Sequence, residues 1–392
     1  MSTPSRDETH RPGGPERAAS ANLSTILRRV HRAGPASRAE LTRETGLNRS
    51  TISGLVSELV ERGLVLEVEP RSTKQVGRPS PVVQASSTVV AIAIVPEIDA
   101  VTMALVTFDR QVLRRVRFET ETIPTVVEAV EIASRLLGEL REDLTPEHRI
   151  AGIGVAVPGL VRAADGCVRW APHLGWRDEP LGGLLEEATG FPVLAANDAN
   201  LGARAENLFG AAIDATHMLY MNGGPSGIGG GIIVNGELVN GAEGYAGEFG
   251  HNRVAAPPDS DATEGELEQS VSQQRLLSVL GLRSASLDEL EAALVADERA
   301  EVRAEVHRQL GILSVGVRNM INILNPEKVV LGGFLGALFD LESDYFLDLL
   351  ASHTLQPPWE SVTVVRAELG SDLLLVGAAE LVFDGVVARA DL

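Results

Sequence analysis

Residues 90–109, VAIAIVPEIDAVTMALVTFD, predict two β-strands joined by a tight turn. Two runs of Val, Ile, Ala and Leu, each of strand length, flank a segment that holds Pro96, Glu97 and Asp99. A hairpin at the start of a large α/β domain is often a phosphate cradle, in which glycines let backbone N–H groups approach an anion. This turn contains no glycine. The stretch therefore predicts the strands of a nucleotide-binding fold without the turn that would hold phosphate.

Length and composition predict a multidomain globular protein. The chain has 392 residues, and single hydrophobic cores stop growing at roughly 250–300 residues. The single cysteine, Cys167, excludes an intrachain disulfide framework and a zinc site made of several cysteines. Residues 1–20 are polar and rich in Pro and Gly, so they predict a disordered tail rather than a signal peptide or a membrane span. We therefore expect a cytoplasmic protein with no membrane partner.

Charge is segregated along the chain. The formal net charge is −20, from 34 basic and 54 acidic residues. Residues 1–85 contain 13 Arg and Lys against 9 Asp and Glu, a balance of +4, which leaves 21 against 45, or −24, for the remainder. A small basic module attached to a large acidic body predicts two separate tasks, and the basic module is the part that nucleic acid would attract.

The basic module predicts a helix-turn-helix. Apolar spacing in NLSTILRRV (22–30) places one face of a first helix in the core, and Gly34-Pro35 ends that helix. A capping box opens a second, short helix in SRAELTRETG (37–46). The third helix lies in NRSTISGLVSELVERG (48–63). Its predicted buried face comprises Ile52, Leu55, Val56, Leu59 and Val60.

The opposite face of the third helix is small, rich in hydroxyl groups and led by an arginine, which suits a helix N-terminus that enters a major groove. The predicted DNA contacts on this face are Arg49, Ser50, Thr51 and Ser53. Two strands, 64–69 and 80–84, then predict a wing, whose connection carries the further DNA-contact candidates Arg71, Lys74 and Arg78. The alternative is a helical bundle that binds a protein partner with solvated arginines.

From residue 86 onward the chain alternates strands and helices in two β-rich series. The first runs through the opening hairpin to IAGIGVAVPG (150–159), and the second runs from HMLYMNGG (217–224) to KVVLGG (328–333). Two similar halves with a cleft between them predict a two-lobed, actin-like α/β architecture of the ribonuclease H-like type over 86–392. The winged helix-turn-helix would occupy 21–85.

Four ordered motifs in the body resemble the signatures of the ROK family, named for repressors, open reading frames and kinases. They are GIGVAVPGLV (152–161), NDANLGARAE (197–206), SGIGGGIIVNGELVNGAEGYAGEFGH (226–251) and LNPEKVVLGG (324–333). The similarity extends over 86–392, and the basic module resembles the winged helix of the family's repressors. AGExGH and NPxxVxxGG at this spacing make the combination specific.

The resemblance implies a kinase site that this chain has lost. In the family's kinases an Asp takes the proton from the attacking sugar hydroxyl, and Asp198 occupies that position here. An Asp-x-Gly-Gly-Thr hairpin holds the ATP phosphates, but its Asp aligns with Val95 and its glycines with Glu97 and Ile98. Positioning and charge neutralisation dominate phosphoryl transfer, so a base alone achieves little. We therefore expect no ATP and no sugar kinase activity.

An alternative is that another loop binds phosphate, and the glycine-rich GGPSGIGGG (223–231) is the obvious candidate. We expect Gly227, Gly229 and Gly231 to serve mainly the backbone of that hairpin. The sugar-facing positions of the family, in contrast, are retained. The resemblance assigns contacts with sugar hydroxyls to Asn197, Asp198, Glu248, His251 and Glu268. Carboxylates and amides suit this task because they accept from and donate to vicinal hydroxyls.

Three departures from the family pattern bear on the ligand and on zinc. Ala196 replaces a Glu that many of the kinases carry, and His173 replaces the Asn of APNLGW. The family's zinc-binding Cys-x-Cys-Gly-x-x-Gly-Cys cluster is absent, and Ser260, Asp261 and Glu266 lie near the places of its cysteines. One histidine with scattered carboxylates is a poor zinc site, so we expect no zinc, with a weakly bound hard cation as the alternative. His251 would then contact sugar or fasten its loop.

Together these features predict a transcriptional regulator in which a catalytically inactive kinase-like domain senses a sugar or sugar derivative. Repression of carbohydrate metabolism genes, relieved by the ligand, is favoured over activation. The resemblance implies a homodimer or homotetramer, whose two-fold symmetry would match a pseudo-palindromic double-stranded DNA operator. Two alternatives remain open: an ATP-dependent sugar kinase with an appended DNA-binding domain, and a regulator whose cleft is vestigial and whose activity a protein partner sets.

Overall fold

The computed structural model describes residues 14–69, 81–254 and 265–392. Its first domain is a winged helix, as the sequence predicts. Strands β2 and β3 pair antiparallel as the two sides of the wing, and a short strand β1, which the sequence analysis missed, pairs with β3 on its other side. The elements are α1 (Gly14–Ala33), β1 (Ala36–Ser37), α2 (Arg38–Thr45), α3 (Arg49–Glu61), β2 (Val65–Val68) and β3 (Val82–Ala85).

Two details of this domain differ from the sequence-based expectation. Helix α1 begins at Gly14, so the disordered tail predicted over 1–20 is wrong for its last residues. Pro15 suits the first turn of a helix, and the alanines that follow favour its continuation. Val60 was predicted to be buried on α3 but is 38% exposed. It lies in the last turn of α3, one residue before Glu61, where the helix leaves the core that Leu59 still occupies.

The first lobe of the body is built on a five-stranded sheet with the order β11-β7-β4-β5-β6. The hairpin quoted first forms β4 and β5, which pair antiparallel with Val95 opposite Thr102. Both strands are buried throughout. The elements of this part are β4 (Val89–Pro96), β5 (Ala100–Thr107), β6 (Val112–Glu119), α4 (Val126–Arg141), β7 (Arg149–Val157), β8 (Leu160–Arg162), β9 (Cys167–Ala171), β10 (Trp176–Glu179), α5 (Leu181–Thr189), β11 (Val193–Asn197) and α6 (Asp198–Phe209).

The second lobe repeats the theme with a five-stranded sheet, β14-β13-β12-β17-β18, so the two-lobed prediction is confirmed. Its strands are β12 (Met218–Gly224), β13 (Gly227–Val234), β14 (Glu237–Leu238), β15 (Arg253–Val254), β16 (Gly265–Glu266), β17 (Lys328–Gly333) and β18 (Thr363–Arg366). Its helices, with the last one of the chain, are α7 (Leu267–Ser270), α8 (Gln273–Leu280), α9 (Leu287–Ala296), α10 (Ala300–Leu324), α11 (Phe334–Leu341), α12 (Ser343–His353), α13 (Gln356–Ser361) and α14 (Leu373–Arg389).

Helix α14 returns from the second lobe to the first and packs on β4, β7 and α6. It also contacts α1 of the winged helix. Consequently the core of the DNA-binding domain is continuous with one face of the first lobe. Ile26 and Leu27 from α1 share a hydrophobic cluster with Ala91 of β4 and with Ala379 and Phe383 of α14.

Within the three described ranges, the chain has no helix whose length and apolar character would let it cross a membrane.

Candidate ligand-binding and DNA-binding sites

A cavity of about 150 Å³ lies in the cleft between the two lobes. Loops that follow β7 and β9 form one side, and the β12–β13 turn with the segments around α7 forms the other. The structure brings all five predicted sugar contacts to this cavity. They are Asn197, Asp198, Glu248, His251 and Glu268.

Asn197 and Asp198 are placed by the junction of β11 and α6. Asn197 is the N-cap of α6: its Oδ1 accepts from the backbone N–H of Asn200 at 3.0 Å, and its Nδ2 donates to the carbonyl of Gly159 at 3.1 Å. Asp198 begins the helix and accepts from the N–H of Ala199 at 2.8 Å. The cap turns the Asp198 carboxylate toward the cavity that it lines. Burial, with a smaller contribution from the negative charge of Glu248, raises the pKa of Asp198 to about 7.

The remaining three candidates come from the second lobe. Burial raises the pKa of Glu248, while the charge of His251 lowers it and that of Glu268 raises it. Glu268 Oε2 accepts from the backbone N–H of Ile228 at 3.2 Å, which fixes the start of α7 against β13. His251 lines the cavity, and its Nδ1 lies 3.3 Å from Glu266 Oε2. Both roles that the sequence left open for His251 are therefore geometrically available.

Glycines on β13 serve both the backbone and the cavity. Gly227 has a φ of +121°, and a Cβ there would lie 2.4 Å from Glu268 Oε2, so only glycine lets that carboxylate reach the backbone of Ile228. Gly231 has a different reason, because a Cβ there would lie 2.4 Å from the Cβ of Ala203 on α6. Gly227 and Gly229 also line the cavity. The sequence predicts only a mainly structural role for these glycines.

Sequence reasoning missed several residues that line the cavity. Trp170, near the end of β9, is 45% exposed and lines the cavity. Asn222 on β12 and Ser226 in the β12–β13 turn add an amide and a hydroxyl. His173, noted in the sequence only as a departure from APNLGW, also lines the cavity. The position of Trp170 directly before that motif was the available signal for it.

Candidate metal ligands meet beside the cavity, at His251, Glu266 and Glu268. One ligand atom from each lies within 4.8 Å of the others. The set offers one imidazole and two carboxylates, and Glu268 already accepts from a backbone N–H. This donor set does not fit a structural zinc site, which wants four thiolate or imidazole ligands. Ser260 and Asp261, the other residues near the family's cysteine positions, lie outside the described ranges.

The glycine-free hairpin turn is occupied by its own ion pairs. Arg117 on β6 donates from Nε to Glu97 Oε2 at 3.2 Å and from Nη2 to Asp99 Oδ1 at 2.9 Å. Thr102 Oγ1 donates to the same oxygen of Glu97 at 3.0 Å. The backbone N–H of Glu97 donates to the carbonyl of Ala100 at 2.8 Å. In this turn, the N–H group of Glu97 and both carboxylates are already engaged within the protein.

A second cavity, of about 590 Å³, adjoins this turn and reaches Gly332 and Gly333 at the end of β17. Three arginines line it, but each is paired with carboxylates. Arg117 holds Glu97, Asp99 and Glu119, Arg115 holds Asp372, and Arg366 holds Glu291 and Asp340. Among the described residues that line this cavity, no arginine is left to neutralise a phosphate.

The predicted DNA-reading face of α3 is exposed at its start. Asn48 caps the helix by accepting from the N–H of Thr51 at 2.9 Å, and Ser50 Oγ donates to the same amide oxygen at 2.7 Å. Arg49 and Ser50 are exposed, and Thr51 is half-buried. The wing candidates Arg71, Lys74 and Arg78 lie outside the described residues.

Ser53 is already engaged by a residue that the sequence analysis did not single out. Arg38, the first residue of α2, donates from Nη1 to Ser53 Oγ at 2.6 Å and from Nε to Glu67 Oε1 at 2.7 Å. This contact ties α2, α3 and β2 together beside the reading face. The fold thus holds the Arg38 guanidinium at Ser53, which lies four residues after Arg49 on α3.

The fold and the cavity define a two-lobed, sugar-kinase-like domain that carries a winged helix. The ROK family pattern matches residues 97–384, and that of the MarR family matches residues 24–75. The chain belongs to the ROK family.

The relatives that this chain resembles include both repressors and kinases. A xylose repressor of Caldicellulosiruptor bescii is 32% identical over 333 residues, which cover 77% of this chain and 81% of the relative. A glucokinase of Halalkalibacterium halodurans is 32% identical over 277 residues, which cover 64% of this chain and 83% of the relative. In fold, the chain matches a ROK family transcriptional regulator, a homologue of E. coli Mlc, with a TM-score of 0.78 at 22% identity over 95% of this chain and 97% of that one.

Proposed function

We propose that this protein is a DNA-binding transcriptional repressor of carbohydrate metabolism genes, controlled by a sugar or sugar derivative bound between the lobes. The observation that carries the proposal is the convergence of Asn197, Asp198, Glu248, His251 and Glu268 on one cavity in a chain that begins with a winged helix. The xylose repressors among its relatives support the same function. A cavity of about 150 Å³ suits one sugar ring.

The ligand would act through the relative position of the lobes. Both lobes contribute to the cavity wall, so a bound sugar would favour one closure angle. Because α14 belongs to the first lobe and contacts the winged helix, closure would alter where the reading helices stand in a dimer or tetramer. Thermodynamic reciprocity then requires that DNA change sugar affinity by the same factor. Arg49 would read bases or hold a phosphate at the start of α3, with Ser50, Thr51 and Ser53 beside it.

The alternative of a sugar kinase with an added DNA-binding domain is supported by the glucokinases among the relatives and by Asp198 at the base position. The hairpin argues against it. A kinase must neutralise the developing charge on the transferred phosphoryl group, whereas Glu97 presents a carboxylate that Arg117 already holds. We propose that the site retains sugar recognition and has lost phosphoryl transfer.

The decisive experiment uses the full chain. Duplexes selected from a random DNA pool by the purified protein provide the DNA probe, and binding is measured with and without D-xylose, D-glucose and related monosaccharides. We expect at least one sugar to weaken DNA binding by the parent but not by Asp198→Asn. Arg49→Ala should weaken DNA binding and leave thermal stabilisation by the same sugar intact.

Two results would overturn the proposal. The first is ATP-dependent phosphorylation of a sugar by the parent that Asp198→Asn abolishes, which would establish the kinase. The second is an absence of any sugar effect on either DNA affinity or the thermal midpoint, which would favour control by a protein partner.

A further inference from the structure

A buried ion pair joins the DNA-binding domain to the body. His31 on α1 is 3% exposed, and Glu380 on α14 is 2% exposed. The imidazole Nε2 lies 3.0 Å from each oxygen of the Glu380 carboxylate, and Nδ1 lies 2.8 Å from the backbone carbonyl oxygen of Phe108. Neither residue lines the sugar cavity or the exposed face of α3. The function proposed above therefore leaves this pair unexplained.

Aromatic rings enclose the imidazole. It stacks on Phe108 with 4.2 Å between ring centroids and 6° between ring planes. Phe209 on α6 and Phe383 on α14 pack edge-on against it, each with 5.9 Å between ring centroids. This cage fixes the plane of the imidazole and excludes water. The two ring nitrogens consequently depend on Phe108 and Glu380 for their hydrogen bonds.

The geometry fixes how many protons the pair holds. A carbonyl oxygen only accepts, so Nδ1 carries a hydrogen that it donates to Phe108. A hydrogen must also lie between Nε2 and the carboxylate, because a lone pair facing a carboxylate would leave both buried groups unsatisfied. Imidazolium with carboxylate and imidazole with carboxylic acid satisfy this equally. Either way, the docked pair holds one proton more than a neutral imidazole and a free carboxylate do.

The other charged groups around the pair are three arginines and one carboxylate. Arg32 lies on α1 one residue from His31, and Arg204 on α6 pairs with Asp384 on α14. Burial raises the pKa of Asp384, which the charges of Arg204, Glu380, Arg32 and His31 also influence. On the turn after β5, Arg110 lies over the outer face of Phe209, 4.4 Å from the centroid of that ring. None of these groups is a hydrogen-bond partner of the His31 ring. A hydrogen between Nε2 and the Glu380 carboxylate is therefore still required.

Helix α14 extends from the cleft to the DNA-reading helix. Leu373 and Leu375 at its start line the larger cleft cavity. Glu380 in its middle holds His31. At its end, the carbonyl of Ala390 accepts from Arg62 Nη1, just after α3, at 2.9 Å. Along α14, the contact with His31 therefore lies between the cleft cavity and the contact with Arg62.

We propose that His31 and Glu380 are positioning residues that seat the winged helix on α14, and that this seating takes up one proton. The proposal does not rest on the identity of the ligand or of the DNA. When the domains separate, His31 becomes an ordinary imidazole, which loses its proton above about pH 6.5, and Glu380 becomes an ordinary carboxylate. Seating is thus independent of pH between about 4.3 and 6.5, where the separated residues together hold the same single proton, and it weakens as the pH rises above about 6.5. Uptake of one proton makes the seating equilibrium fall about tenfold per pH unit in that range.

The test is amide hydrogen exchange of the full chain between pH 6.5 and 8.5, with each rate divided by its intrinsic rate. Protection of α1 should fall about tenfold per pH unit relative to protection of β12 and β17 in the second lobe. Glu380→Gln is the matched control, because a glutamine NH₂ group can donate to Nε2 of a neutral imidazole. It should keep the contact without the extra proton, and its α1 protection should be independent of pH.

Two measurements decide the proposal without relying on one variant. A parent whose α1 protection does not change with pH relative to the second lobe would overturn it, as would a Glu380→Gln protein that keeps the parent's slope. Nitrogen-15 spectra of the histidines, with the His31 signal identified by its loss in His31→Asn, provide the second test. We expect both ring nitrogens of His31 to give the chemical shifts of hydrogen-bonded positions, whereas the shifts of a solvent-exposed imidazole would contradict the proposal.

Discussion

The Nε of Arg117 lies 3.2 Å from Glu97 Oε2, across the turn that joins β4 to β5. Thr102 donates to the same oxygen at 3.0 Å. This carboxylate stands where the family resemblance implies a glycine of the ATP-binding hairpin. The strands around it are buried and regular, so the fold has kept the hairpin as part of the first lobe's core.

The first prediction is that Mg-ATP does not bind at this turn. The thermal midpoint of the parent should not shift when Mg-ATP is added, because a ligand that does not bind the folded state cannot stabilise it. Glu97→Gly should not restore binding either, since Val95 and Ile98 still occupy the positions of the metal-holding Asp and the second glycine. A stabilising sugar serves as the positive control, and a midpoint that rises with Mg-ATP concentration would contradict the prediction.

The second prediction concerns Asp198→Asn and pH. Burial raises the pKa of Asp198 to about 7 from its ordinary value of 3.8. The folded protein therefore binds more protons than the unfolded chain between these pH values, and its stability falls as pH rises through that range. Asn carries no such charge, so the variant should be more stable than the parent at pH 8, by at most about 4 kcal/mol, and similar to it near pH 4.

Urea unfolding at pH 5 and pH 8 measures this difference. Glu187→Gln, at an exposed carboxylate on α5, is the control and should not alter the pH dependence. The same Asp198→Asn protein should bind sugar more weakly, because it lacks the carboxylate that would stabilise the ligand. In the parent, that carboxylate lowers the stability of the protein while the cavity is empty. If the stability of the parent and of Asp198→Asn depended on pH in the same way, the Asp198 carboxylate would not be desolvated in the folded protein.

The third prediction separates backbone strain from a collision at the ligand site. Gly227 and Gly236 both have positive φ, +121° and +75°. Alanine at either position should cost roughly 1–2 kcal/mol of stability. Only at Gly227 would the new Cβ meet Glu268, whose Oε2 lies 2.4 Å from its ideal position, whereas nothing lies within 4 Å at Gly236.

Gly227→Ala should therefore lose sugar-induced thermal stabilisation, because Glu268 must leave the N–H of Ile228. Gly236→Ala should retain that stabilisation despite its lower midpoint. Retention of full sugar binding by Gly227→Ala would mean that Glu268 contributes nothing to the ligand. Calorimetric titration with the sugar that stabilises the parent best makes the comparison quantitative.

Local patterns made the core of this structure predictable. Strand-length apolar runs predicted β4 and β5, and the capping box of Ser37 and Glu40 predicted the start of α2, because such signals act over a few residues. The five predicted sugar contacts could be assigned only as an ordered set of motifs. No single one of them carries a local signature, since the cleft assembles them from both lobes.

Contacts between distant parts of the chain could not be predicted in the same way. His31 and Glu380 are 349 residues apart, and neither stands out in its own helix. Arg38 reaches Ser53 and Glu67 only after three elements have packed. Trp170 resembles any exposed aromatic residue until the cleft forms around it. Each of these depends on tertiary packing, for which a single sequence gives no periodic signal.

The last prediction concerns Gly54, which lies in the interior of α3 on its exposed face. A Cβ at this position would meet no atom within 4 Å, so the fold itself does not require glycine. Alanine should stabilise the protein by about 1 kcal/mol, because it removes the entropic cost of glycine in a helix. If the bare backbone lets α3 approach DNA closely, Gly54→Ala should also bind the selected duplex more weakly than the parent, although it is more stable.

Gly138→Ala is the matched control for this prediction. Gly138 is an exposed residue in the interior of α4, and a Cβ there would also meet nothing within 4 Å. Both variants should gain similar stability in urea unfolding, so a difference in DNA binding isolates the position on α3. Opposite changes in stability and affinity for Gly54→Ala alone would identify that helix face as the DNA-contact surface. Equal DNA affinity in both variants and the parent would move the contact surface away from Gly54.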